Sequence, residues 1–575
     1  MTVRGRFHRA GTTAVTLLLV VMPAPLAGEE PGKSRPGRPV VAQPVVAQLR
    51  LQAETAERNG DWEAAFAAYC QLQVADRGAP DVRDKLNAAL RRVQQLRRHS
   101  DPQYLHFVQT TTLADAIKLF GEVLTKVPAL YVDRDRARPQ ILWEHALEEL
   151  ARAVGGVAFR QAFLDGASAD AVERFSTSLR VYWPKQTITS AADARVLLRK
   201  LVAEAQSLFT VRTPSALVLE LICGACGGLD EYTVYLNPSE WSTESLPAPA
   251  DLTALGVYLR HSDGGLIIAG VAPGSWAAFH TPLRRGDRVI RLNGRSTETA
   301  SPSLTAEALC NPIDGFHELE VAVGEPDSPS VLVRLPTQVP SVYGIGTAGG
   351  KDGVGYVRIG LFTASTAREL DEAIATLRST HGVRVLVLDV RGNMGGSFLA
   401  GVEATKRFLP AGVIVTTRGQ FAQVDNRPFS SDSGPTAHDL PLVLLVDAET
   451  ASAAEVMAAA LKDHNRATLI GMPTFGKGAI QYPVRLDSLD DRDARGRPKT
   501  NKSGGVRLTI ARLFSPRGTA INGVGVTPDI LEADPRRQLE LAVDKAIELL
   551  PLSPIPPVSP VSPMSPTSRP LPMMP

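Results

Sequence analysis

Leu440-Pro-Leu-Val-Leu-Leu-Val446 runs directly into Asp447-Ala-Glu-Thr-Ala-Ser452-Ala-Ala-Glu455, and this stretch decides the fold. Its first part predicts a buried strand, and the run Ser452–Lys462 predicts a helix that starts immediately afterwards. A serine at such a turn presents its hydroxyl at the edge of a sheet, beside backbone N–H groups that stabilise negative charge. Ser452 is therefore a candidate nucleophile, with the N–H of Ala453 as a candidate oxyanion donor.

Ser452 also has a purely structural interpretation. Ser452-Ala-Ala-Glu455 fits the capping box S-x-x-E, in which serine and glutamate satisfy backbone N–H groups at a helix start. Taken alone, this motif favours a cap over a catalytic serine. The catalytic hypothesis therefore depends on partner residues elsewhere in the chain.

A candidate base follows in the glycine-bounded loop Gly471-Met-Pro-Thr-Phe-Gly-Lys477-Gly478. The chain between serine and lysine can form a helix and one strand, Ala467–Ile470, which would bring the loop beside Ser452. A lysine in an apolar, partly buried loop loses hydration, so its neutral form is favoured and can accept the serine proton. Gln481 follows the loop and is a candidate for holding or orienting the lysine.

Two competing interpretations of this region have less support. Gly471 to Lys477 matches most of the phosphate-binding pattern G-x-x-x-x-G-K-[ST], but Gly478 stands where the magnesium-binding hydroxyl is required. No serine lies in a G-x-S-x-G elbow and no H-E-x-x-H is present, so neither a histidine triad nor a zinc peptidase is indicated. We expect no metal and no cofactor.

A second glycine-rich segment follows another predicted strand. The run Val383–Val390 leads into Arg391-Gly-Asn-Met-Gly395-Gly396-Ser397. Paired glycines after a buried strand let backbone N–H groups approach a ligand closely. Gly395 and Gly396 are therefore candidates for the second oxyanion donor, and a simple tight turn is the alternative.

The three large parts of the chain differ in their patterns. From Gly353 to Leu550, continuous apolar strands alternate with helices, which predicts a layered α/β structure. Residues 248–336 carry short strand-like runs between turns, which predicts a compact small domain of strands with a helix at Thr305–Leu309. Residues 101–247 are predicted to be mainly helical.

The N-terminal and C-terminal segments have distinct compositions. Residues 1–28 combine a basic start with the apolar run Ala10–Met22, which indicates an export signal, although an uncleaved membrane anchor remains the alternative. Residues 29–45 suggest a linker. The pattern of Val46–Arg97 resembles one tetratricopeptide-type hairpin, or equally a helical lid packed on the main body. Residues 551–575 are rich in Pro, Ser and Met and are predicted to be disordered.

Charge and cysteine content narrow the function classes. The chain has 62 basic and 60 acidic residues, a net charge of +2, which provides no field to attract nucleic acid. Cys223-Gly-Ala-Cys226 is half a zinc site at best, since no second pair follows. Its apolar surroundings favour buried free thiols, with a local disulfide as the alternative.

The motifs together resemble those of the carboxyl-terminal processing peptidases, also called tail-specific proteases. Four segments carry the resemblance, in matching order: Leu388–Gly396, Thr450–Glu455, Thr474–Gln481 and Gly523–Asp529. The segment Leu229–Leu236 also looks like the short motif that precedes the family's PDZ domain. The chain departs from the family pattern at Ala454, usually serine, and at Met394, usually proline, and neither position is expected to do chemistry.

By this resemblance the fold class is α/β: a layered catalytic domain of the ClpP/crotonase-like kind with an inserted PDZ domain and a helical N-terminal region. The implied roles are Ser452 as nucleophile, Lys477 as general base and Gln481 as the partner that orients the lysine. Asp463 matches a position sometimes assigned to charge relay, and a structural carboxylate at a helix end is the alternative. The implied organisation is a signal peptide at 1–28, a linker and helical hairpin at 29–100, a helical region at 101–247, a PDZ domain at 248–336, the catalytic domain at 340–550 and a disordered tail at 551–575.

The resemblance further implies a peptide-binding site in the PDZ domain. Its carboxylate-binding loop and strand would comprise Leu255, Gly256, Val257, Tyr258 and Leu259, beside which a peptide C-terminus adds as a strand. Pro273-Gly-Ser275 and Arg285-Gly-Asp287 match PDZ turn positions. Phe279-His-Thr-Pro282 departs from the family's small-residue run, which leaves the peptide specificity open.

The expected function is that of an exported serine endopeptidase, periplasmic or extracellular, that cleaves proteins or peptides near apolar C-termini. Membrane association is expected only through an uncleaved N-terminal segment, and the sequence does not indicate an oligomeric state. The alternative function is a PDZ-containing scaffold with an inactive peptidase domain. Cleavage of a peptide with an apolar C-terminus separates the two.

Overall fold

The computed structural model describes residues 43–76, 80–244, 252–262, 265–272, 275–298, 305, 308–309, 311–322, 330–338, 340–420, 426–432, 438–493 and 495–550. The predicted signal peptide, most of the predicted linker and the Pro-rich tail lie outside these residues. Pro273 and Gly274 of the predicted PDZ turn also lie outside them. Of the helix predicted at Thr305–Leu309, the described residues Thr305, Ala308 and Leu309 are helical.

The catalytic region is built on a six-stranded sheet, called here the main sheet. Its strands in spatial order are Val342–Thr347, Val354–Ile359, Val385–Asp389, Leu442–Val446, Ala467–Gly471 and Ile530–Leu531. All neighbours are parallel except the first pair. The layered α/β prediction is thereby confirmed, because parallel strands are joined by helices that cross the faces of the sheet.

Helices cover both faces of the main sheet. One face packs against Thr366–His381, Phe398–Lys406 and Ala453–Asp463, and the other packs against Pro535–Glu548. In the strand Val385–Asp389, Leu386 and Leu388 join the first core while Val385 and Val387 join the second. Successive side chains of a strand point to opposite faces, so burial on both sides requires the continuous apolar runs seen in the sequence.

A second sheet stands beside the main sheet. Its strands in order are Pro428–Ser431, Gly412–Gly419, Gly505–Phe514 and Ala479–Arg485, and Val234–Leu236 also pairs with Gly505–Phe514. Through this pairing, the segment that resembles the family's pre-PDZ motif becomes part of the catalytic region.

The helical region contains eight helices and a short two-stranded ribbon within the described residues. The helices are Pro102–Thr110, Leu113–Leu130, Pro139–Gly155, Val157–Phe163, Ala169–Val181, Ala191–Leu208, Ser215–Gly227 and Pro238–Glu244, and the ribbon pairs Leu164–Asp165 with Thr210–Val211. Their core also contains Val484, Val506 and Leu508 of the second sheet. Helical region and second sheet therefore share one hydrophobic core, and the boundary predicted near residue 247 does not separate two packing units.

Cys223 and Cys226 lie on the helix Ser215–Gly227, whose side chains are buried almost throughout. Both are buried free thiols. Burial raises the pKa of the Cys223 thiol to about 12, so the thiol stays protonated. The free-thiol interpretation is confirmed, and the alternative of a local disulfide is wrong.

Residues 252–336 form a separate unit, called here the small unit, with its own core around Leu255, Ile268 and Leu319. Its antiparallel strands in order are Val257–Ser262, Gly265–Val271, Arg288–Leu292, Phe316–Ala322 and Ser330–Pro336, with Arg295–Ser296 beside Arg288–Leu292 and a helix at Trp276–His280. The chain leaves the catalytic region after Val234–Leu236 and returns at Val342–Thr347. The small unit thus interrupts the catalytic region.

Three helices precede the helical region and are called here the N-terminal unit: Gln43–Arg58, Trp62–Ala75 and Pro80–Ser100. They enclose a small core around Ala65, Tyr69 and Leu72. The sequence predicted one hairpin after a linker ending at residue 45, but the first helix begins at Gln43 and a third helix completes the packing. No helix among the described residues is long and apolar enough to span a bilayer.

Candidate active site

Ser452 stands at the junction between the strand Leu442–Val446 and the helix Ala453–Asp463. Its backbone has φ 56° and ψ −116°, a conformation that residues with a side chain rarely adopt. Such strain is held only where the surroundings enforce it, and it accumulates at functional sites. The Ser452 N–H donates to Glu455 Oε2 at 2.9 Å, the glutamate half of the predicted capping box.

Glu455 ties the lysine loop, defined here as Met472–Gly478, to the start of the serine helix. Its carboxylate is fully buried. Beyond the Ser452 N–H it accepts the hydroxyl of Thr474 at 2.6 Å and the N–H groups of Gly476 at 2.5 Å and Lys477 at 2.8 Å. The bonds from Ser452 and Lys477 end on the same oxygen, so the two backbones lie within the combined length of two hydrogen bonds.

The lysine loop makes one more backbone hydrogen bond beside the serine, and the pKa of Glu455 is shifted. The Phe475 N–H donates to the Thr450 carbonyl at 2.9 Å, which docks the lysine loop beside the residues that precede the serine. Burial raises the pKa of the Glu455 carboxyl, although its four hydrogen bonds act in the opposite direction.

Lys477 is 8% exposed, so its ammonium is largely removed from water. Nζ lies 5.4 Å from the centre of the Tyr232 ring. Burial, together with the positive charge of Arg507, lowers the pKa of Lys477 to about 8, while the Glu455 carboxylate opposes the shift. A lysine with this pKa is substantially neutral in mildly alkaline solution and can then accept a proton.

The glycine loop, Arg391–Ser397, lies against the serine. A β-carbon built on Gly395 would stand 2.7 Å from Ser452 Cβ and 3.1 Å from the Ala453 nitrogen, so only glycine permits this approach. The Gly395 N–H already donates to Asn393 Oδ1 at 2.8 Å. No hydrogen bond from the Gly396 N–H is found within the described part of the chain, and of the two glycines Gly396 is therefore the better candidate oxyanion donor.

The glycine loop is anchored from both ends. The side chain of Asn393 donates to the Ile359 carbonyl at 2.9 Å, and its backbone carbonyl accepts the Ala451 N–H at 2.9 Å. At the start of the loop, the fully buried Asp389 carboxylate accepts Arg358 Nη1 at 3.0 Å and Arg391 Nη2 at 2.7 Å. These bonds connect the loop to the ends of two strands of the main sheet.

Asp463 and Gln481 are the two remaining predicted site residues. Asp463 ends the serine helix and accepts the Arg517 N–H at 2.9 Å, whereas Ser452 precedes the first residue of that helix. A helix of eleven residues is roughly 16 Å long, so Asp463 lies far from Ser452. Asp463 is therefore positioned as a structural carboxylate at the end of the helix. Gln481 lies on the strand after the lysine loop, where its buried Nε2 has no hydrogen-bond partner within the described residues.

The predicted peptide-binding residues Leu255, Gly256, Val257, Tyr258 and Leu259 lie in the small unit. Gly256 has φ +85°, and a β-carbon there would overlap Ser275, so the turn requires glycine. The strand that follows, Val257–Ser262, is an edge strand that pairs on one side only among the described strands. Strand addition takes place beside a strand in this position at the edge of a sheet.

The roles of Tyr232 and Asn393, and the full role of Glu455, are not evident from the sequence. The capping box predicts Glu455 as a cap but gives no sign that a distant loop shares its carboxylate. Asn393 lies within the glycine motif, which does not show that its side chain anchors the loop. Tyr232 gave no signal on its own, since its contact with Lys477 joins segments that are far apart in the chain. Among the described residues, no group of three or more His, Cys, Asp and Glu is placed to hold a metal ion.

The part of the chain that holds the serine and the lysine loop matches a known peptidase family. The family model of peptidase family S41 matches residues 353–531. The carboxy-terminal-processing protease of Bartonella bacilliformis is 37% identical over 330 residues, covering 57% of this chain and 72% of that protein. The chloroplastic carboxyl-terminal-processing peptidase 2 of Arabidopsis thaliana is 32% identical over 314 residues, covering 52% of this chain and 57% of that protein.

Fold and motifs therefore define a serine-type peptidase of the layered α/β class. The chain belongs to the carboxyl-terminal-processing peptidases of family S41. The chain spans 57% of the length of Arabidopsis peptidase 2 and 59% of that of the chloroplastic carboxyl-terminal-processing peptidase 1 of the same organism, a little over half of each. A solved photosystem II D1 C-terminal processing protease matches 76% of this chain at 25% identity, with a TM-score of 0.38, which is too low for an argument about the arrangement of domains.

Proposed function

We propose that this chain is a serine endopeptidase that cleaves proteins near their C-termini, with Ser452 as nucleophile and Lys477 as general base. The observation that carries the proposal is the buried Glu455 carboxylate, which accepts the backbone N–H of both residues on one oxygen. Nucleophile and base are thereby held together by a group that itself takes no part in the reaction.

The proposed reaction is an acyl transfer with a lysine as the base. Neutral Lys477 accepts the Ser452 hydroxyl proton as Oγ attacks the scissile carbonyl carbon, and the resulting ammonium returns the proton to the leaving amine. The N–H groups of Ala453 and Gly396 stabilise the oxyanion of the tetrahedral intermediate. Water then releases the acyl group by the same path. Gln481, with its unpartnered amide on the strand after the loop, is proposed to orient Lys477 during turnover.

The test is cleavage of a peptide with an apolar C-terminus. Ser452→Ala and Lys477→Ala should each lower kcat/KM by about 10⁴-fold or more, because each removes an essential member of a unit. Ser379→Ala and Lys406→Ala are matched controls, since within the described part of the chain Ser379 bonds to Thr376 and Lys406 pairs with Glu403 of the same helix, and they should change the rate less than about twofold. Undiminished turnover in Ser452→Ala contradicts the proposal. A wild-type chain that binds such peptides but cleaves none indicates the scaffold alternative.

We further propose that the small unit is a PDZ domain that recruits substrates by an apolar C-terminal tail. The position of Val257–Ser262 at the end of the described sheet and the glycine turn at Gly256 support this role. The Ser452→Ala variant should bind a peptide with a free terminal carboxylate at least about tenfold more tightly than the same peptide amidated, because amidation removes the charged carboxylate to which the loop's N–H groups would donate. Equal affinity for the two peptides contradicts PDZ-type recruitment.

Export is part of the proposal. The basic, apolar and small-residue pattern of residues 1–28 supports it, and the names of the Arabidopsis relatives place those proteins in the chloroplast. Expression of the full chain followed by N-terminal sequencing of the mature protein tests it. A new N-terminus near residue 28 is expected, whereas retention of Met1 in the membrane fraction indicates the uncleaved anchor.

A further inference from the structure

Arg83, on the third helix of the N-terminal unit, contacts two segments beside the lysine loop. The Arg83 guanidinium forms an ion pair with Glu231, which is only 16% exposed. The two residues are 148 positions apart in the chain. A second and separate set of contacts attaches the far end of the same helix to the helical region, where Arg98 and His99 pair with Glu220.

Glu231 immediately precedes Tyr232, whose ring faces the Lys477 ammonium. The turn that carries Tyr232 is held by Asp230, which accepts the N–H groups of Tyr232 and Thr233 at 2.8 and 2.7 Å. Arg83 therefore binds a short, hydrogen-bonded turn at Glu231, the residue next to the Tyr232 ring that covers Lys477.

The same guanidinium lies against Gly523, in the loop that supports the lysine loop from outside. A β-carbon on Gly523 would overlap Arg83 Nη1. The Gly523 N–H donates to the Gly476 carbonyl at 2.8 Å, one residue before Lys477. Arg83 thus contacts two segments that are distant in sequence, and both touch the lysine or its immediate neighbour.

We propose that Arg83 is a positioning residue for Lys477: by joining Glu231 to the Gly523 loop it holds the Tyr232 ring and the lysine loop together. The N-terminal unit then supports the active site, in addition to packing against the helical region. This inference rests on the proposed role of Lys477 as the base. Helix attachment alone does not account for the placement of Arg83, because the contacts of Arg98 and His99 already provide it.

Loss of Arg83 should change the pH profile of the enzyme. The charged groups that face Lys477 are the Glu455 carboxylate on the serine helix and the Arg507 guanidinium on the second sheet, and the Arg83–Glu231 pair stands behind Tyr232. Loss of Arg83 frees the Tyr232 turn and the Gly523 loop, which admits water to the ammonium. Better hydration favours the charged form, so the acid limb of kcat should move to higher pH.

The experiment compares Arg83→Ala, Arg83→Lys and Arg97→Ala in the full chain, with a peptide substrate assayed across the pH range. Arg97 lies on the same helix and forms an exposed ion pair with Glu63, so Arg97→Ala is the matched control and should keep its kcat and pH profile. Arg83→Ala should lower kcat at neutral pH about tenfold with KM changed less than about twofold, and should shift the acid limb upward. Arg83→Lys restores the charge and should recover part of the rate.

A double-mutant cycle that combines Glu231→Gln with Arg83→Ala provides a second test of the proposal. Both substitutions should lower kcat by breaking the same ion pair, so their effects should not add. The double variant should therefore be no slower than the slower single variant. Unchanged kcat and pH profile in Arg83→Ala overturn the inference, and so does a loss of thermal stability with normal kcat in the remaining folded protein. Ser452→Ala in the same assay separates the two proposals: if it abolishes turnover while Arg83→Ala leaves it normal, only the role of Arg83 fails.

Discussion

Lys477 is suited to act as a base because its ammonium group is largely removed from water. Burial with a nearby guanidinium lowers its pKa to about 8, so the neutral fraction falls about tenfold per pH unit below that value. We expect kcat/KM to rise through an acid limb centred near pH 8, measured with a peptide substrate from about pH 5 to about pH 10. A limb centred near the ordinary histidine pKa, or a flat profile, contradicts a lysine base. Lys477→Arg should be inactive throughout, because a guanidinium stays charged.

Glu455 is the residue whose loss should disturb the site most without touching substrate. Glu455→Gln replaces one acceptor oxygen by an amide that faces backbone N–H groups, so at least one buried donor loses its partner. We expect a loss of about 2–4 kcal/mol in the free energy of unfolding, measured by urea denaturation, and a fall in kcat of at least about tenfold. Glu403→Gln is the control, since Glu403 pairs with Lys406 at the surface and should cost less than about 1 kcal/mol. Equal effects of the two substitutions would show that the shared carboxylate is dispensable.

At the scale of elements, the glycine loop must pass very close to the start of the serine helix. Gly395→Ala introduces a β-carbon 2.7 Å from Ser452 Cβ at φ +108°, so the loop has to move and the oxyanion donors with it. We expect kcat to fall by about 10²–10³-fold, comparable with removal of one oxyanion donor, with a smaller change in KM. Gly382→Ala is the matched control, because Gly382 also has positive φ but meets nothing within 4 Å. It should cost about 1 kcal/mol of stability and leave kcat unchanged, and an equal fall in kcat would trace both effects to backbone strain.

The strands and helices of the catalytic region explain why these residues converge. The carboxyl ends of parallel strands lie at one edge of the main sheet, and Ser452, the glycine loop and the lysine loop each follow such a strand. Ligand sites in parallel sheets form at this edge for the same reason. Asp463 is excluded because it ends the helix that Ser452 begins, on the far side of the element.

At the scale of the whole molecule, the division into packing units differs from the division along the chain. The helical region and the second sheet share one core, which includes Tyr235, Leu486 and Leu508, whereas residues 252–336 enclose their own. We expect a fragment of residues 248–336 to unfold cooperatively in urea on its own. A fragment of residues 340–550 should fail to fold, because it exposes the apolar face that the helices normally cover. A soluble, cooperatively unfolding 340–550 fragment would contradict this assignment of cores.

The sequence by itself determined the alternation of strands and helices, the place of Ser452 at a strand-to-helix turn, and the presence of a lysine loop and a glycine loop. These are local properties, since periodicity and turn residues act over a few positions. Other features depend on the tertiary structure: Glu455 serves both the serine and the lysine loop, Tyr232 covers Lys477, and Asp463 lies apart. The Gly395 N–H is bonded to Asn393, whereas no bond from the Gly396 N–H is found among the described residues. Each of these depends on contacts between segments distant in the chain, and the geometry of such contacts is set by packing, which no local pattern records.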